Sequence, residues 1–356
     1  MLTKPDLPDD QLLACLRNSY GVPARKLEYL PLGADFSSWV YRVEADDDKI
    51  YFMKLRKGQV DEVSLLVPRY LKPAGASRVV APLAPTRGEQ PWATVADYAV
   101  LLYPFIPGGN AMQLGLTDPQ WVEYGAALRQ IHSVRLSDDL RRRVPRETFV
   151  PAWSLGVRRL QATIEQLDQR DRHVRETTAV WREKREQITR IVARAEELGR
   201  RLQACHGEFV VCHTDIHLAN VLVDPAGRLH VVDWDAPLQA PKERDLHFVV
   251  ESSIGRIPIG PREEELIFQG YGTATLDWDA LLYYRYDWVS GDLLSYGQQA
   301  CLVEDASEAS KEHAVDCTRR MFVPGGSVDS PQALERRRPV GGGRHPSPVE
   351  RERGQG

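Results

Sequence analysis

Val210-Val211-Cys212-His213-Thr214-Asp215-Ile216-His217-Leu218-Ala219-Asn220, with the segment running on to Asp233-Trp234-Asp235, decides how this chain is read. After Asn220 come two short apolar runs, Val221-Leu222-Val223 and Leu229-His230-Val231-Val232, separated by Asp224-Pro225-Ala226-Gly227. Asp first, Pro second and Gly fourth is the residue chemistry of a type I turn, so a tight antiparallel hairpin is predicted. Antiparallel pairing returns the residue after the second strand to the side of the residue before the first. Asn220 and Asp233 therefore meet. A carboxylate and a carboxamide oxygen at one spot are hard ligands suited to Mg²⁺, which prefers oxygen and keeps waters and phosphates in its shell. Asp215, on the loop leading into the same end of the hairpin, is placed to hold and deprotonate a hydroxyl. Taken singly, Asp215, Asn220 and Asp233 also suit turns and caps; their convergence makes a site. His213 and His217 raise the competing pattern of a zinc pair on a helix, but no third ligand lies at a familiar spacing and the β-branched flanks favour a loop.

The rest of the chain narrows the class. Its 356 residues, 42% hydrophobic and 27% charged, are those of a soluble globular protein with room for two lobes. A formal net charge of -4 argues against broad nucleic-acid binding, and Arg141-Arg142-Arg143 with the arginines of 157–201 reads as solvated helix faces. Five scattered cysteines, Cys15, Cys205, Cys212, Cys301 and Cys317, form no C-x-x-C pair and no disulfide framework, which fits a reducing cytoplasm. No signal peptide or membrane-length apolar run is present, so a cytoplasmic location and no membrane partner are expected.

Upstream, Leu12, Leu13, Leu16 and Tyr20 recur at helical spacing before Gly21, which predicts a leading helix over 9–20. Runs at 27–32, 39–43 and 49–55 read as an antiparallel meander, and 79–83, 92–95 and 98–105 complete a sheet of about five strands. In the third run Lys54 shares a face with Ile50 and Phe52, where a lysine must snorkel out or find anions. The turn Gly33-Ala34-Asp35-Phe36-Ser37-Ser38 is either an ordinary hairpin loop or a phosphate-contacting one, through backbone amides and the Ser37 and Ser38 hydroxyls. A helix from about Glu62 to Leu71 is interrupted by Pro68. Tyr103-Pro104-Phe105-Ile106-Pro107-Gly108-Gly109 marks a boundary. Thr117-Asp118-Pro119-Gln120 opens a helix with a capping box, its buried stripe being Trp121, Tyr124, Leu128 and Ile131. Residues 157–204 predict one or two amphipathic helices. From Leu281 a helix dense in aromatics carries Asp287 and Asp292, whose carboxylates beside rings read as core or as a site for a cationic sugar-like ligand. After about residue 309 apolar residues thin out, and a disordered tail is expected.

The Asp-x-x-x-x-Asn spacing is that of a protein-kinase catalytic loop, with His213-Thr214-Asp215 for His-Arg-Asp and Asp233-Trp234-Asp235 for Asp-Phe-Gly. In this form it resembles the aminoglycoside phosphotransferase family more closely. Lys54-Leu55-Arg56-Lys57-Gly58, Val67-Pro68-Arg69-Tyr70-Leu71 and the aromatic helix are similar to its spectinomycin phosphotransferase branch.

The resemblance, over about residues 10–300, implies an α+β, two-lobed, protein-kinase-like fold: a small antiparallel-sheet nucleotide-binding lobe over 1–105 and a mainly helical catalytic and substrate lobe over 106–308, with the disordered tail expected from composition over 309–356. It implies that Lys54 holds nucleotide phosphates with Glu62 as its helix partner, that Ser37 and Ser38 lie in the phosphate-covering loop, and that Phe105 and Ile106 form the hinge at the base. Asp215 would be the catalytic base, Asn220 and Asp233 the Mg²⁺ ligands, and Asp287 and Asp292 acceptor contacts. The expected reaction moves the γ-phosphoryl group of ATP or GTP to a hydroxyl of an aminoglycoside or aminocyclitol, giving antibiotic resistance, in a monomer or dimer. A metabolic kinase acting on choline, homoserine or a sugar, and a catalytically silent binding protein of the same fold, are the alternatives.

Overall fold

The computed structural model describes residues 4–31, 38–204, 207–252, 258–303, 306–339 and the backbone of 344–346. By its internal contacts the chain falls into two compact units, one of residues 1–145 with 213–238 and the other of 146–212 with 239–356. These units do not follow the expected boundary at 105/106, because residues 106–145 and 213–238 group with the sheet.

The first unit starts with α1 (Asp9–Tyr20), which ends at Gly21 in the left-handed region (φ 66°), as the Gly stop predicts. A five-stranded antiparallel sheet follows, β1 (Ala24–Leu30), β2 (Ser38–Ala45), β3 (Ile50–Lys57), β4 (Ala93–Val95) and β5 (Tyr98–Pro104), in the order β1-β2-β3-β5-β4. Strand alternation decides its two faces. Met53 and Leu55 of β3 point into the core with Tyr41, Val43, Val100 and Leu102 against Leu12 and Leu16 of α1. Lys54 points to the opposite side, and its cross-strand partner Leu101 packs with Leu65 of α2 (Val63–Leu71). Pro68 stays inside α2 without ending it.

Residues 79–83 are not a strand. Val79 makes an isolated parallel bridge to Val231, through Val80 N–H to Val231 O (2.9 Å) and Val231 N–H to Arg78 O (2.8 Å), and Leu83 N–H bonds Leu102 O (2.7 Å); Pro82 has no N–H to continue a ladder. Beyond β5 come β6 (Gly109–Asn110), α3 (Ala111–Leu114), α4 (Asp118–Ser133) and α5 (Asp138–Arg143). The α4 capping box forms on its sequence signature, with Thr117 N–H donating to Gln120 Oε1 at 2.9 Å.

The second unit is mainly helical, with α6 (Ser154–Thr163), α7 (Arg172–Glu183), α8 (Arg185–Gln203), the strand β7 (Val210–Cys212), and, beyond the hairpin strands β8 (Val221–Val223) and β9 (Leu229–Val231) of the first unit, β10 (Leu238–Ala240) and α9 (Glu243–Leu246). It continues through α10 (Pro261–Tyr271), β11 (Thr275–Asp277), α11 (Trp278–Cys301), α12 (Glu308–Met321), α13 (Ser330–Arg337) and β12 (Arg344–Pro346). Three helices, not one or two, fill 154–203; Asp171 starts α7 by accepting the N–H groups of His173 (2.7 Å) and Val174 (3.3 Å). The disordered tail from 309 is corrected. The few apolar residues there fall at helical spacing, so Ala314, Val315, Thr318 and Met321 bury one face of α12, and Leu334 does so for α13. Arg194 to Glu335 (2.7 Å) and Arg337 to Glu264 (2.6 Å) tie α13 down.

No helix among the described residues is long and apolar enough to cross a membrane.

Candidate active site

The hairpin forms as predicted, with Val221 opposite Val231 and Val223 opposite Leu229. Gly227 N–H closes the turn on Asp224 O at 2.8 Å. The Asp224 carboxylate takes the N–H groups of Ala226 (2.9 Å) and Arg228 (3.0 Å), and its other oxygen meets His230 Nε2 at 2.9 Å. At the open end Val232 N–H bonds Asn220 O at 3.0 Å, so Asp233 follows directly on the residue opposite Asn220.

Several elements fix the loop before it. His213 is buried; its Nε2 lies 2.8 Å from Val232 O and its Nδ1 accepts the Asp215 N–H at 3.3 Å. That pairing places the proton on Nε2, and the ring stands edge-on to buried Trp234 at 4.6 Å. His213 is thus a brace, and the zinc pattern has no role for it. On α4, Tyr124 donates to Ile216 O (2.6 Å), Gln120 to Gly227 O (2.9 Å), and Glu123 accepts from Leu229 N–H (3.2 Å). Sequence reading took Tyr124 for core packing alone; its hydroxyl in a buried stripe is the signal for this second role. Thr214 (φ 76°) and Asp233 (φ 66°) both occupy the left-handed region, a strain that clusters at functional sites.

Asp215 is held by Asn220, whose Nδ2 donates to Asp215 O (2.8 Å) and Oδ2 (3.1 Å). Its Oδ1 is enclosed with no hydrogen-bond partner, 3.3 Å from His217 Nε2, while the side chain as a whole stays 42% exposed, so the outward oxygen is Oδ2. Partial burial pushes the Asp215 carboxyl above its ordinary value, opposed by His217 and His213 and reinforced by Asp233. With its N–H donors turned to Asp215, Asn220 offers a cation only its carbonyl oxygen. Together with the Asp233 carboxylate this is an all-oxygen donor set, which fits Mg²⁺.

Lys54, only 13% exposed, reaches these acids from β3: Nζ lies 2.9 and 3.1 Å from the two oxygens of Asp235 and 3.4 Å from Asp233 Oδ1. The expected Glu62 partner is corrected. Glu62 stands at the N-cap of α2, half-exposed, and pairs with Arg143 (3.1 Å) rather than with Lys54. Ser38 opens β2 and is buried; Ser37 lies outside the described residues. Phe105 and Ile106 line a cleft of about 390 Å³ with Pro107, Pro225, Arg228 and His230, and Phe105 N–H bonds Ile50 O at 3.3 Å.

In the second unit, Asp287 of α11 is buried with Oδ1 lacking a partner, as do Tyr284 Oη and both ring nitrogens of His247. Arg244 sits over the Tyr284 ring at 5.2 Å, and Trp288 meets the rings of Phe248 (4.9 Å) and His247 (6.0 Å). Burial raises the Asp287 carboxyl to about 7, against the pull of Arg244 and with a push from Glu147. Asp292 does not join it. Five residues on, about 140° around the helix, it faces Tyr296 and Cys317 instead.

Comparison with known proteins places this geometry. The model of the phosphotransferase enzyme family matches residues 28–284. No curated protein matches the chain. Among solved structures, spectinomycin phosphotransferase APH(9)-Ia, in complex with ADP and spectinomycin, superposes with a TM-score of 0.84 at 29% identity, covering 93% of this chain and 99% of that one. An aminoglycoside phosphotransferase from Alicyclobacillus acidocaldarius (TM-score 0.62, 14% identity, 94% and 97% covered) and a choline/ethanolamine kinase family protein from Mesorhizobium loti (0.52, 15%, 92% and 99%) share the fold. With a matched region spanning the sheet, the lysine strand, the catalytic loop and the hairpin, the chain belongs to the phosphotransferase enzyme family and is a small-molecule O-phosphotransferase of protein-kinase-like fold.

Proposed function

We propose that this enzyme transfers the γ-phosphoryl group of ATP or GTP to a hydroxyl of a cationic aminocyclitol or aminoglycoside such as spectinomycin, with resistance to that antibiotic as the result. The observation that carries the reading is the joining of Asp215, Asn220, Asp233 and Lys54 in one compact unit. Asn220 and Asp233 would hold Mg²⁺, which supplies charge neutralisation at the phosphates. Lys54 binds phosphate oxygens. Asp215, oriented by Asn220, holds the acceptor hydroxyl and takes its proton on Oδ2, the outward oxygen, as the oxygen bonds to phosphorus. Burial raises its pKa above the ordinary carboxylate value, which strengthens it as a base. Phe105 and Ile106 would meet the nucleotide base from their cleft, with Ser38 near its phosphates.

Asp287 supports a cationic acceptor. A buried carboxyl with an unpartnered oxygen, close enough to Tyr283 to act on its hydroxyl, suits an ammonium group with a ring face beside it. Asp292 is not carried into this role.

The test is nucleoside diphosphate release from Mg²⁺-ATP and Mg²⁺-GTP against spectinomycin, several aminoglycosides, choline and homoserine. Stimulation by spectinomycin or an aminoglycoside alone is expected. Stimulation by choline or homoserine alone would replace the acceptor assignment with a metabolic one.

A further inference from the structure

We propose that Asp235 is the positioning residue for Lys54, doing from the bend after the hairpin what a carboxylate on the neighbouring helix does not do here. The inference rests on the reading of Lys54 as the phosphate anchor. A lysine 13% exposed on a sheet needs an anionic partner to stay charged and oriented. The helix on its side of the sheet is α2, Val-Ser-Leu-Leu-Val-Pro-Arg-Tyr-Leu, which contains no carboxylate. The acids just before it are taken: Asp61 caps the helix by accepting Val63 N–H at 3.2 Å, and Glu62 pairs with Arg143. Asp235 fills the gap with both oxygens on Nζ, at 2.9 and 3.1 Å, against a single 3.4 Å contact from Asp233.

The surroundings keep Asp235 in that place. Trp234 is 4% exposed and wedged against His213, so the backbone between the two acids is anchored and neither swings freely. Arg56, two residues from Lys54 on the same face of β3, approaches Asp235 Oδ2 at 3.5 Å from the other side. The two acids thereby divide the labour: Asp233, the more exposed at 48%, is released toward a cation, while Asp235 retains the lysine. Were Asp235 absent, Lys54 would turn to Asp233 alone and compete with that cation.

Binding of Mg²⁺-ADP, measured by calorimetry without any acceptor, tests this apart from the acceptor assignment. Asp235→Asn is expected to weaken binding about tenfold, the loss of one charge-assisted hydrogen bond, with an unchanged melting temperature. Lys54→Met weakens it similarly. In the Lys54→Met background Asp235→Asn should add no more than about twofold, since coupled residues are not additive. Asp235→Glu should restore part of the affinity, and in turnover the asparagine variant should raise KM for nucleotide more than it lowers kcat. Three results would each overturn the proposal: unchanged affinity, tighter binding (Asp235 competing with phosphate), or an undiminished effect in the Lys54→Met background (Asp235 acting on the metal or the fold).

Discussion

Replacing Asp287 with Asn is the sharpest probe of the second unit, because the two side chains have the same shape and differ in whether a proton can leave. In the folded protein burial raises this carboxyl from its ordinary 3.8 to about 7. The folded state therefore holds the proton over a range where the unfolded chain releases it. Stability contributed by this site is full below about pH 4 and falls as pH rises through the folded value near 7. At 1.36 kcal/mol per tenfold, the interval corresponds to about 4 kcal/mol at most. The assay is urea unfolding of wild type and Asp287→Asn at a series of pH values from 4 to 9, read as the difference between the two proteins so that other titrations cancel. Near pH 4 the variants should be nearly equal. Above pH 7.5 the asparagine protein should be the more stable by a few kcal/mol. A difference that stays flat with pH would refute the reasoning, since it would mean that the carboxyl ionises in the folded state as readily as in water. The same substitution should remove any rise in kcat/KM for a cationic acceptor near pH 7.

Asp215→Ala is expected to lower turnover by about 10²- to 10⁴-fold, the usual span for a general base, while Mg²⁺-ADP binding by calorimetry is retained. Chelation of divalent cations by EDTA should abolish turnover and Mg²⁺ should restore it, assayed by diphosphate release. Gly108→Ala should destabilise on the order of 3 kcal/mol or more, measured by thermal unfolding, because Gly108 has φ 120° and a Cβ there would stand 2.0 Å from the backbone Val223 O. Asp224→Ala should lower the melting temperature at pH 7 and much less at pH 2: the His230 and Arg228 bonds hold this carboxyl well below the usual range, so its stabilisation is present at neutral pH and is lost as pH falls through the folded value.

The parts legible in sequence were those fixed by local chemistry. The Asp-Pro-Ala-Gly turn, the Gly21 stop, the Thr117 box and the alternation around Lys54 each depend on a few adjacent residues, and each appears as read. Partners distant in sequence were less legible. Lys54 finds Asp235 rather than Glu62, and the clue was negative, a helix with no acid in it. Asp287 and Asp292 looked alike until α11 was turned, since one residue of spacing decides which face a side chain takes. In 309–337 the apolar residues are sparse, and their helical spacing rather than their density decides that the segment folds.

The division of the first unit into 1–145 and 213–238 also constrains how the protein is made. As the chain leaves the ribosome, the sheet and α4 emerge before the strands that their side chains grip, and residues 146–212 must be synthesised in the interval. The bonds that Tyr124, Gln120 and Glu123 make to Ile216, Gly227 and Leu229 form only when the hairpin arrives. Closing so long a loop costs entropy before any contact repays it, so the last step in assembling the sheet-bearing half is also the one that brings Asp215, Asn220, Asp233 and Lys54 together. A nascent chain stalled short of residue 213 would expose the seat of that hairpin to chaperones and to other unfinished chains.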